Sequence, residues 1–234
     1  MANNKKTDMN ALKEMASLFL YIAPTPTNLG FIIHHPYYET PFQACRTENG
    51  LGMVNIMESP ENLKKAQEET ERIINRCDTP KDIFLFIRRP YMLSLLKASV
   101  QSLSRQDFSE MLGMAWTMEE WPNTDENVSY RLARKYFKSA DKKALMDDEE
   151  YEYFENLPPS LTIYRGVTKN KKGLSWTLDY DKAVWFATRY EYDTPYVLKT
   201  EISKNDVLAY FSRRYEAEIV ADVDWDRVEE IEII

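Results

Sequence analysis

One segment in the second half of the chain places a cation where a buried strand is expected. Arg165 falls at alternating spacing with Leu161, Ile163 and Val167, and residues two apart on a strand share a face. A guanidinium in an apolar row is costly unless an anion lies beside it. The pattern therefore predicts either a structural ion pair or a binding site for an anionic ligand.

Two further segments carry polar pairs at the same two-residue spacing. Ser175 and Thr177 share one face of a predicted strand, and Glu216 and Glu218 share one face of a predicted strand over 215–221,. Two neighbouring carboxylates repel each other, so one has a raised pKa or needs a cation nearby. Each pair alone is ordinary, and it is the order of the three segments along the chain that indicates a functional site.

In this order the segments resemble the Arg–Ser–Glu signature of mono-ADP-ribosyltransferases, bacterial and phage members included. The matching residues are Tyr164-Arg165-Gly166, Gly173-Leu174-Ser175-Trp176-Thr177 and Glu216-Ala217-Glu218-Ile219-Val220. A helix with the family's small and aromatic pattern follows the second segment, with Ala183, Phe186 and Ala187. The resemblance covers about residues 80–234 and departs at Trp176, where the family usually has a small polar residue.

The resemblance implies a role for each residue of the signature. Glu218 would stabilise positive charge on the ribose of NAD, the co-substrate, and Arg165 would hold the phosphate or adjoining ribose. Ser175 would hold Glu218 by a hydrogen bond, and Thr177 would support the strand. Glu216 would position or deprotonate the acceptor, which a Glu at this position makes an arginine of a protein.

The resemblance further implies residues that line the NAD site and residues that recognise the acceptor. The NAD set comprises Tyr164, Gly166, Thr177 and Trp185, together with Arg165 and Ser175. The acceptor set lies in the segment 210–215 and comprises Phe211, Arg214 and Tyr215. The aromatic members could equally belong to the core, and the segment could be a solvated strand end. No metal is expected.

The elements that must position these residues divide the chain into a helical first half and a strand-rich second half. Residues 1–79 form a small module with a helix over 9–23, short strands at Phe31–His35 and Gly52–Met57, and a helix over 61–76,. Thr79-Pro80 marks the start of the next unit.

The unit 80–234 has two predicted parts. Residues 80–156 form a helical lobe, and at residue 157 the apolar period changes from 3.6 to 2, so 157–234 forms the β core,. The segregated order favours an α+β fold, and the resemblance makes the core the two-sheet core of an ADP-ribosyltransferase.

The amino-acid composition limits the classes of partner that this chain is expected to bind. The chain of 234 residues carries 30 basic and 38 acidic residues, which disfavours nucleic acid, because phosphate binding needs a basic face. Two cysteines cannot form a disulfide framework, and no apolar stretch is long enough to span a bilayer,. We therefore expect a cytoplasmic protein without membrane contact, acting in the host cytoplasm if a phage encodes it, on NAD and a cytoplasmic protein acceptor.

Other candidate sites are weaker. His34 and His35 are adjacent, and adjacent strand residues point to opposite faces, so a structural role is favoured over a metal site,. Residues 169–172 form a basic loop tip that could favour an anionic dinucleotide,. Two alternatives to a transferase stay open: an NAD glycohydrolase, and a non-catalytic binding or inhibitor protein that reuses the scaffold.

Overall fold

The computed structural model describes residues 6–47, 50–119, 127–167, 172–189, 195–213 and 216–233. These residues combine helices with an antiparallel sheet, so the α+β class is confirmed. The helices are α1 Met9–Leu18, α2 Pro60–Arg76, α3 Pro80–Phe86, α4 Met92–Ser99, α5 Arg105–Met118, α6 Tyr130–Ser139, α7 Lys142–Leu145, α8 Asp148–Glu155 and α9 Tyr180–Thr188. All but α9 precede the sheet.

Side-chain caps fix where several of these helices begin. In each case the cap oxygen accepts a hydrogen bond from a backbone N–H three residues further on, which satisfies a donor that has no partner within the helix. The caps of this kind include Ser59, Thr79, Ser104, Ser129 and Asp179. The predicted helix starts after Ser59 and Thr79 are thereby confirmed.

The first eighty residues depart from the sequence prediction at the end of the first helix and at two strands, Thr25–Pro26 and Phe42–Thr47, that were not predicted. The helix predicted over 9–23 ends at Leu18 and continues only as a 3₁₀ turn, Phe19–Tyr21. The strand Phe42–Thr47 (β3) was not predicted; it pairs with β4, Gly50–Asn55. The strand has no clear apolar alternation in sequence. Among its described side chains only Cys45 is buried, where it packs in a cluster with Ala66 of α2. Before it, Thr25–Pro26 (β1) pairs with Ile33–His34 (β2).

The second half forms one six-stranded antiparallel sheet in the order β10-β7-β5-β6-β9-β8. The strands are β5 Ser160–Val167, β6 Ser175–Thr177, β7 Tyr196–Ser203, β8 Val207–Phe211, β9 Glu218–Ala221 and β10 Glu229–Glu232. The expectation of two separate sheets was wrong, because Tyr164 pairs with Thr177 and joins the halves. Among the described residues this is the one β5–β6 register pair, whereas β5 and β7 pair along their whole length.

Helices from both sides of residue 79 contribute to one large core. Leu12 and Ile74 lie in the same cluster as Phe84, Leu96 and Phe108. A smaller cluster lies under the β3–β4 hairpin and consists of Ile33, Tyr38, Cys45, Ile56 and Ala66. The division into 1–79 and 80–234 stays a prediction. Within the described ranges, no helix has the length and apolar character needed to cross a bilayer.

Helix α9 packs directly on β5 because Gly166 has no side chain. A Cβ at Gly166 would lie 2.2 Å from the Ala183 carbonyl oxygen and 2.5 Å from the Ala187 nitrogen. Both alanines are fully buried, together with Val197 of β7. The alanines at the family-like offsets therefore serve close helix–sheet packing.

Candidate active site

Glu218 is the first residue of β9 and is held from the helical lobe. Trp116 of α5 donates from Nε1 to Glu218 Oε1 across 2.9 Å, and the Trp116 side chain is only 1% exposed. Its indole packs edge-on against Phe137 of α6, with ring centroids 4.8 Å apart. Two helices thus fix one oxygen of this carboxylate.

Ser175 links Glu218 to Arg165. The Ser175 side chain hydrogen-bonds the Glu218 carboxylate, and Arg165 Nη1 donates to the Ser175 carbonyl oxygen at 2.6 Å. The structure therefore brings together the Arg, Ser and Glu of the predicted signature. Arg165 and Glu218 are both of intermediate exposure, so neither residue is fully enclosed in the core.

The strand register describes how Arg165 and Glu218 are placed relative to each other. In the register, Tyr164 lies opposite Thr177, and Thr177 lies opposite Glu218. Directly opposed residues share a face, so Arg165, next to Tyr164, starts on the other face. The guanidinium of Arg165 nevertheless reaches the backbone of the β6 segment, at the Ser175 carbonyl oxygen and at Gly173.

Gly173 leaves the room that the guanidinium occupies. A Cβ at this position would lie 2.4 Å from Arg165 Nη2 and 2.5 Å from Arg165 Cζ. Because even a methyl group would overlap the cation, glycine at 173 allows the guanidinium its present position, and a larger residue would require the end of the Arg165 side chain to move.

Burial shifts the pKa values of both charged groups toward their neutral forms. Burial is the largest effect on Glu218 and raises its pKa above the ordinary value,. The hydrogen bonds from Ser175 and Trp116 oppose burial, as does the Arg165 cation, whereas the charge of Glu216 acts in the same direction as burial. Burial likewise lowers the pKa of Arg165 to about 10, against the opposing effect of Glu218. At neutral pH Arg165 stays a cation.

Glu216 reaches this neighbourhood by a route that strand periodicity did not predict. The strand β9 begins at Glu218, and Ala217 has a φ of 43°, the left-handed region. The prediction that Glu216 and Glu218 share a strand face was therefore wrong. The Thr177 hydroxyl donates to the Glu216 carbonyl oxygen at 3.0 Å, so Thr177 positions this backbone, and its own side chain is buried.

Three residues predicted to line the NAD site lie on the side of β5 covered by α9. Tyr164 packs edge-on against Tyr180, and Gly166 faces the backbone of α9. Trp185 is 51% exposed on α9, between Lys182 and Arg189. By the strand register Tyr164 shares the face of Thr177 and Glu218,, but its ring packs on Tyr180. The ring contacts described for Trp185 are with Lys182, Phe186 and Arg189, along its own helix and the cap that ends it.

The predicted acceptor residues divide differently. Phe211 is 1% exposed and packs against Phe137, so its predicted role of stacking on an acceptor was wrong. Arg214 and Tyr215 lie outside the described residues. The neighbouring Arg213 donates from Nη1 to Thr117 Oγ1, which ties this segment to α5.

Trp116 was missed from sequence, although it donates directly to Glu218. It falls within the apolar stripe of α5, and such a stripe predicts only core packing. The available signal was chemical, since a buried tryptophan needs a partner for its N–H.

The remaining candidates are structural. Nδ1 of the fully buried His35 accepts the backbone N–H groups of Tyr37 and Tyr38, and its ring stacks on Tyr38 at 4.2 Å. Burial raises the pKa of both cysteine thiols, Cys45 and Cys77, which disfavours the reactive thiolate,. Among the residues with described positions, no group of three or more His, Cys, Asp or Glu side chains could hold a metal ion.

Comparison with known proteins adds no relative: no family model, no curated protein and no solved structure matches this chain.

Proposed function

We propose that this chain is an NAD-dependent mono-ADP-ribosyltransferase that modifies an arginine side chain of a protein in the cytoplasm of a bacterium. One arrangement supports the proposal above all. A carboxylate with a raised pKa, Glu218, is held by Trp116 and Ser175 beside the Arg165 cation, which itself donates to the Ser175 carbonyl oxygen.

Glu218 has the chemistry that the bond cleavage requires. The bond between ribose C1′ and the nicotinamide nitrogen breaks, the electron pair leaves with nicotinamide, and positive charge develops on the ribose. A carboxylate already withdrawn from water and fixed by two donors stabilises that charge with little reorganisation. Trp116 and Ser175 use only part of the acceptor capacity of the two carboxylate oxygens, and the remaining lone pairs would face the ribose,.

Arg165 supplies a cation for the phosphates of the same substrate. A guanidinium binds phosphate through parallel N–H groups in a rigid plane, which a lysine cannot reproduce. Its carbonyl contact with Ser175 and the backbone of Gly173 fix that plane relative to Glu218. The neighbouring cation and carboxylate therefore fit a dinucleotide with phosphates at one end and a reacting ribose at the other.

Glu216 is the group we assign to the acceptor. An arginine side chain is a poor nucleophile while protonated. As its nitrogen bonds to C1′, a proton must leave, and the carboxylate of Glu216 would accept it. Its backbone is fixed by Thr177, and its charge is close enough to Glu218 to affect that pKa.

The direct test is release of nicotinamide from NAD by the purified chain, together with transfer of labelled ADP-ribose to proteins of a bacterial lysate. We expect Glu218→Gln to lower both activities by about a hundredfold or more, as for loss of one electrostatic stabiliser. The matched control is Glu152→Gln, on the exposed side of α8, which should keep full activity. Unimpaired cleavage in Glu218→Gln, or no cleavage by the unmodified chain, would refute the proposal.

A second variant separates transfer from hydrolysis. Glu216→Gln should reduce transfer to arginine far more than release of nicotinamide to water. Mass spectrometry of the modified lysate proteins should locate the label on arginine. Label on another residue type would refute the arginine assignment alone, and equal loss of both activities would contradict the separate roles of the two carboxylates.

A further inference from the structure

A second group of side chains lies beside Arg165 and takes no part in the chemistry described above. Tyr130, at the start of α6, accepts a hydrogen bond from Trp225 Nε1 at 3.2 Å. Lys172 Nζ lies 5.8 Å from the centroid of the Trp225 ring. Lys172 is exposed, and both aromatic rings are partly exposed. We call these three side chains the aromatic–lysine group.

Two contacts place this group next to Arg165. Lys172 immediately precedes Gly173, whose backbone lies against the Arg165 guanidinium. Tyr130 is close enough to Arg165 to act on it electrostatically. The group therefore lies beside the Arg165 guanidinium, on the part of the chain that leads into β6.

The two rings are held by rigid elements. Asp222, just after β9, forms ion pairs with Arg134 and Lys138 of α6, both at 2.5 Å. These contacts fix the start of α6 relative to the connection that carries Trp225, so the tyrosine and the tryptophan need little ordering when a ligand binds.

A buried hydrogen-bond donor, Nε1 of Trp176, lies near Trp225. The Trp176 ring lies 5.8 Å from the Trp225 ring and is 2% exposed. Within the described part of the chain its Nε1 has no hydrogen-bond partner. A buried donor without a partner is costly, and a ligand or a bound water in this neighbourhood would satisfy it.

We propose that the aromatic–lysine group is the subsite for the adenine nucleotide end of the dinucleotide, with the base stacked on Trp225 and a phosphate between Lys172 and Arg165. This rests on the proposed function. Partly exposed rings beside two cations suit a ligand that combines a flat heterocycle with phosphate, and stacking on tryptophan is sequence-tolerant and strong. Nicotinamide would then lie at the Glu218 end.

Calorimetric titration with two half-substrates, AMP and nicotinamide mononucleotide, tests this assignment independently of catalysis. We expect Trp225→Ala to weaken AMP and ADP-ribose about ten- to a hundredfold, the size of one lost base stack, and to leave nicotinamide mononucleotide unchanged. Trp225→Phe keeps a ring and should restore most of the affinity. Lys172→Ala should weaken AMP several-fold, whereas Lys143→Ala, at an exposed lysine of α7, should not.

The outcomes separate this proposal from the proposed function. Unchanged AMP affinity in a folded Trp225→Ala variant would overturn the subsite even if the chain cleaves NAD. Equal weakening of both half-substrates would overturn the assignment of the two ends, and an unmodified chain that binds neither AMP nor ADP-ribose would also overturn it. Failure of the proposed function is recognised separately, as absent nicotinamide release by a chain that still binds AMP through Trp225.

Discussion

Two arginines of this chain are drawn into the protein, and their surroundings differ in kind. Arg88, before α4, donates from Nη1 to the carbonyl oxygens of Ile33, His35 and Tyr38 at 3.1–3.2 Å. Arg165 is of intermediate exposure and lies beside a carboxylate whose own pKa is raised. Arg88 therefore stabilises the backbone of segment 33–38, whereas Arg165 lies where its charge could act on a ligand.

Two glutamates show the same difference. Glu150 is fully buried, and its carboxylate accepts from the backbone nitrogens of Ser212 and Asp147 and pairs with Arg213 at 3.3 Å. Glu218 also has donors, Trp116 and Ser175, and the Arg165 cation nearby, but burial and the like charge of Glu216 outweigh them and raise its pKa. Donors that favour the charged form stabilise the fold, whereas a charge that burial opposes indicates a site that sacrifices stability for function.

The largest effect should come from the same substitution at both arginines. Arg88→Met leaves three carbonyl oxygens without their donor, and we expect the free energy of unfolding to fall by about 3 kcal/mol. Arg165→Met removes a costly cation from an apolar row and should leave stability nearly unchanged, while ADP-ribose affinity falls about a hundredfold. Chemical denaturation and calorimetry measure the two quantities. A strong loss of stability in Arg165→Met with intact affinity would make Arg165 a structural residue.

Glutamine at the two glutamates should give stability changes of opposite sign. Glu150→Gln breaks the pair with the partly exposed Arg213 and should lower the free energy of unfolding by about 2 kcal/mol. At Glu218 the folded state raises the pKa, so the fold favours the protonated form and stability declines as pH rises through the folded-state pKa,. Glu218→Gln removes that cost at pH 7 and should raise stability by about 1 kcal/mol. Thermal unfolding of both variants measures these changes. If both variants were destabilised, Glu218 would be a structural residue like Glu150.

Trp116→Phe should separate position from charge at the site. Phenylalanine keeps the edge contact with Phe137 but loses the N–H that bonds Glu218. We expect nicotinamide release to fall about tenfold, the cost of one hydrogen bond to a charged group, with ADP-ribose affinity unchanged. Because that bond lowers the pKa of Glu218, the acid limb of the activity profile should move to higher pH. A slower enzyme with an unmoved pH profile would indicate altered packing instead.

The sequence carried the signature residues but not the path by which they meet. Periodicity placed Arg165 and Ser175 on their strands correctly, because alternation depends only on neighbours in the chain. It failed at Glu216, since the left-handed conformation of Ala217 ends the alternation, and no residue type there announces it. It also failed at Trp116, whose partner is 102 residues away, and at Phe211, because burial beneath α6 is decided by tertiary packing.

The smallest effect concerns His35, a buried residue in the segment 1–79. Burial lowers its pKa to about 4, from 6.5. A folded-state pKa below the unfolded one means that its contribution to stability is present above pH 6.5 and is lost as pH falls toward 4,. We expect a loss of roughly 1 kcal/mol between pH 7.5 and pH 6. In His35→Asn the amide oxygen can still accept the Tyr37 and Tyr38 N–H groups, so this slope should disappear, whereas His34→Asn, at the exposed neighbour, should retain it. An equal slope in all three proteins would place the acid sensitivity elsewhere. His35 contacts Tyr37 and Tyr38 and not the proposed site around Arg165 and Glu218. NAD cleavage by His35→Asn should therefore match that of the unmodified chain at pH 7.5, which would show that this buried histidine affects stability without affecting activity.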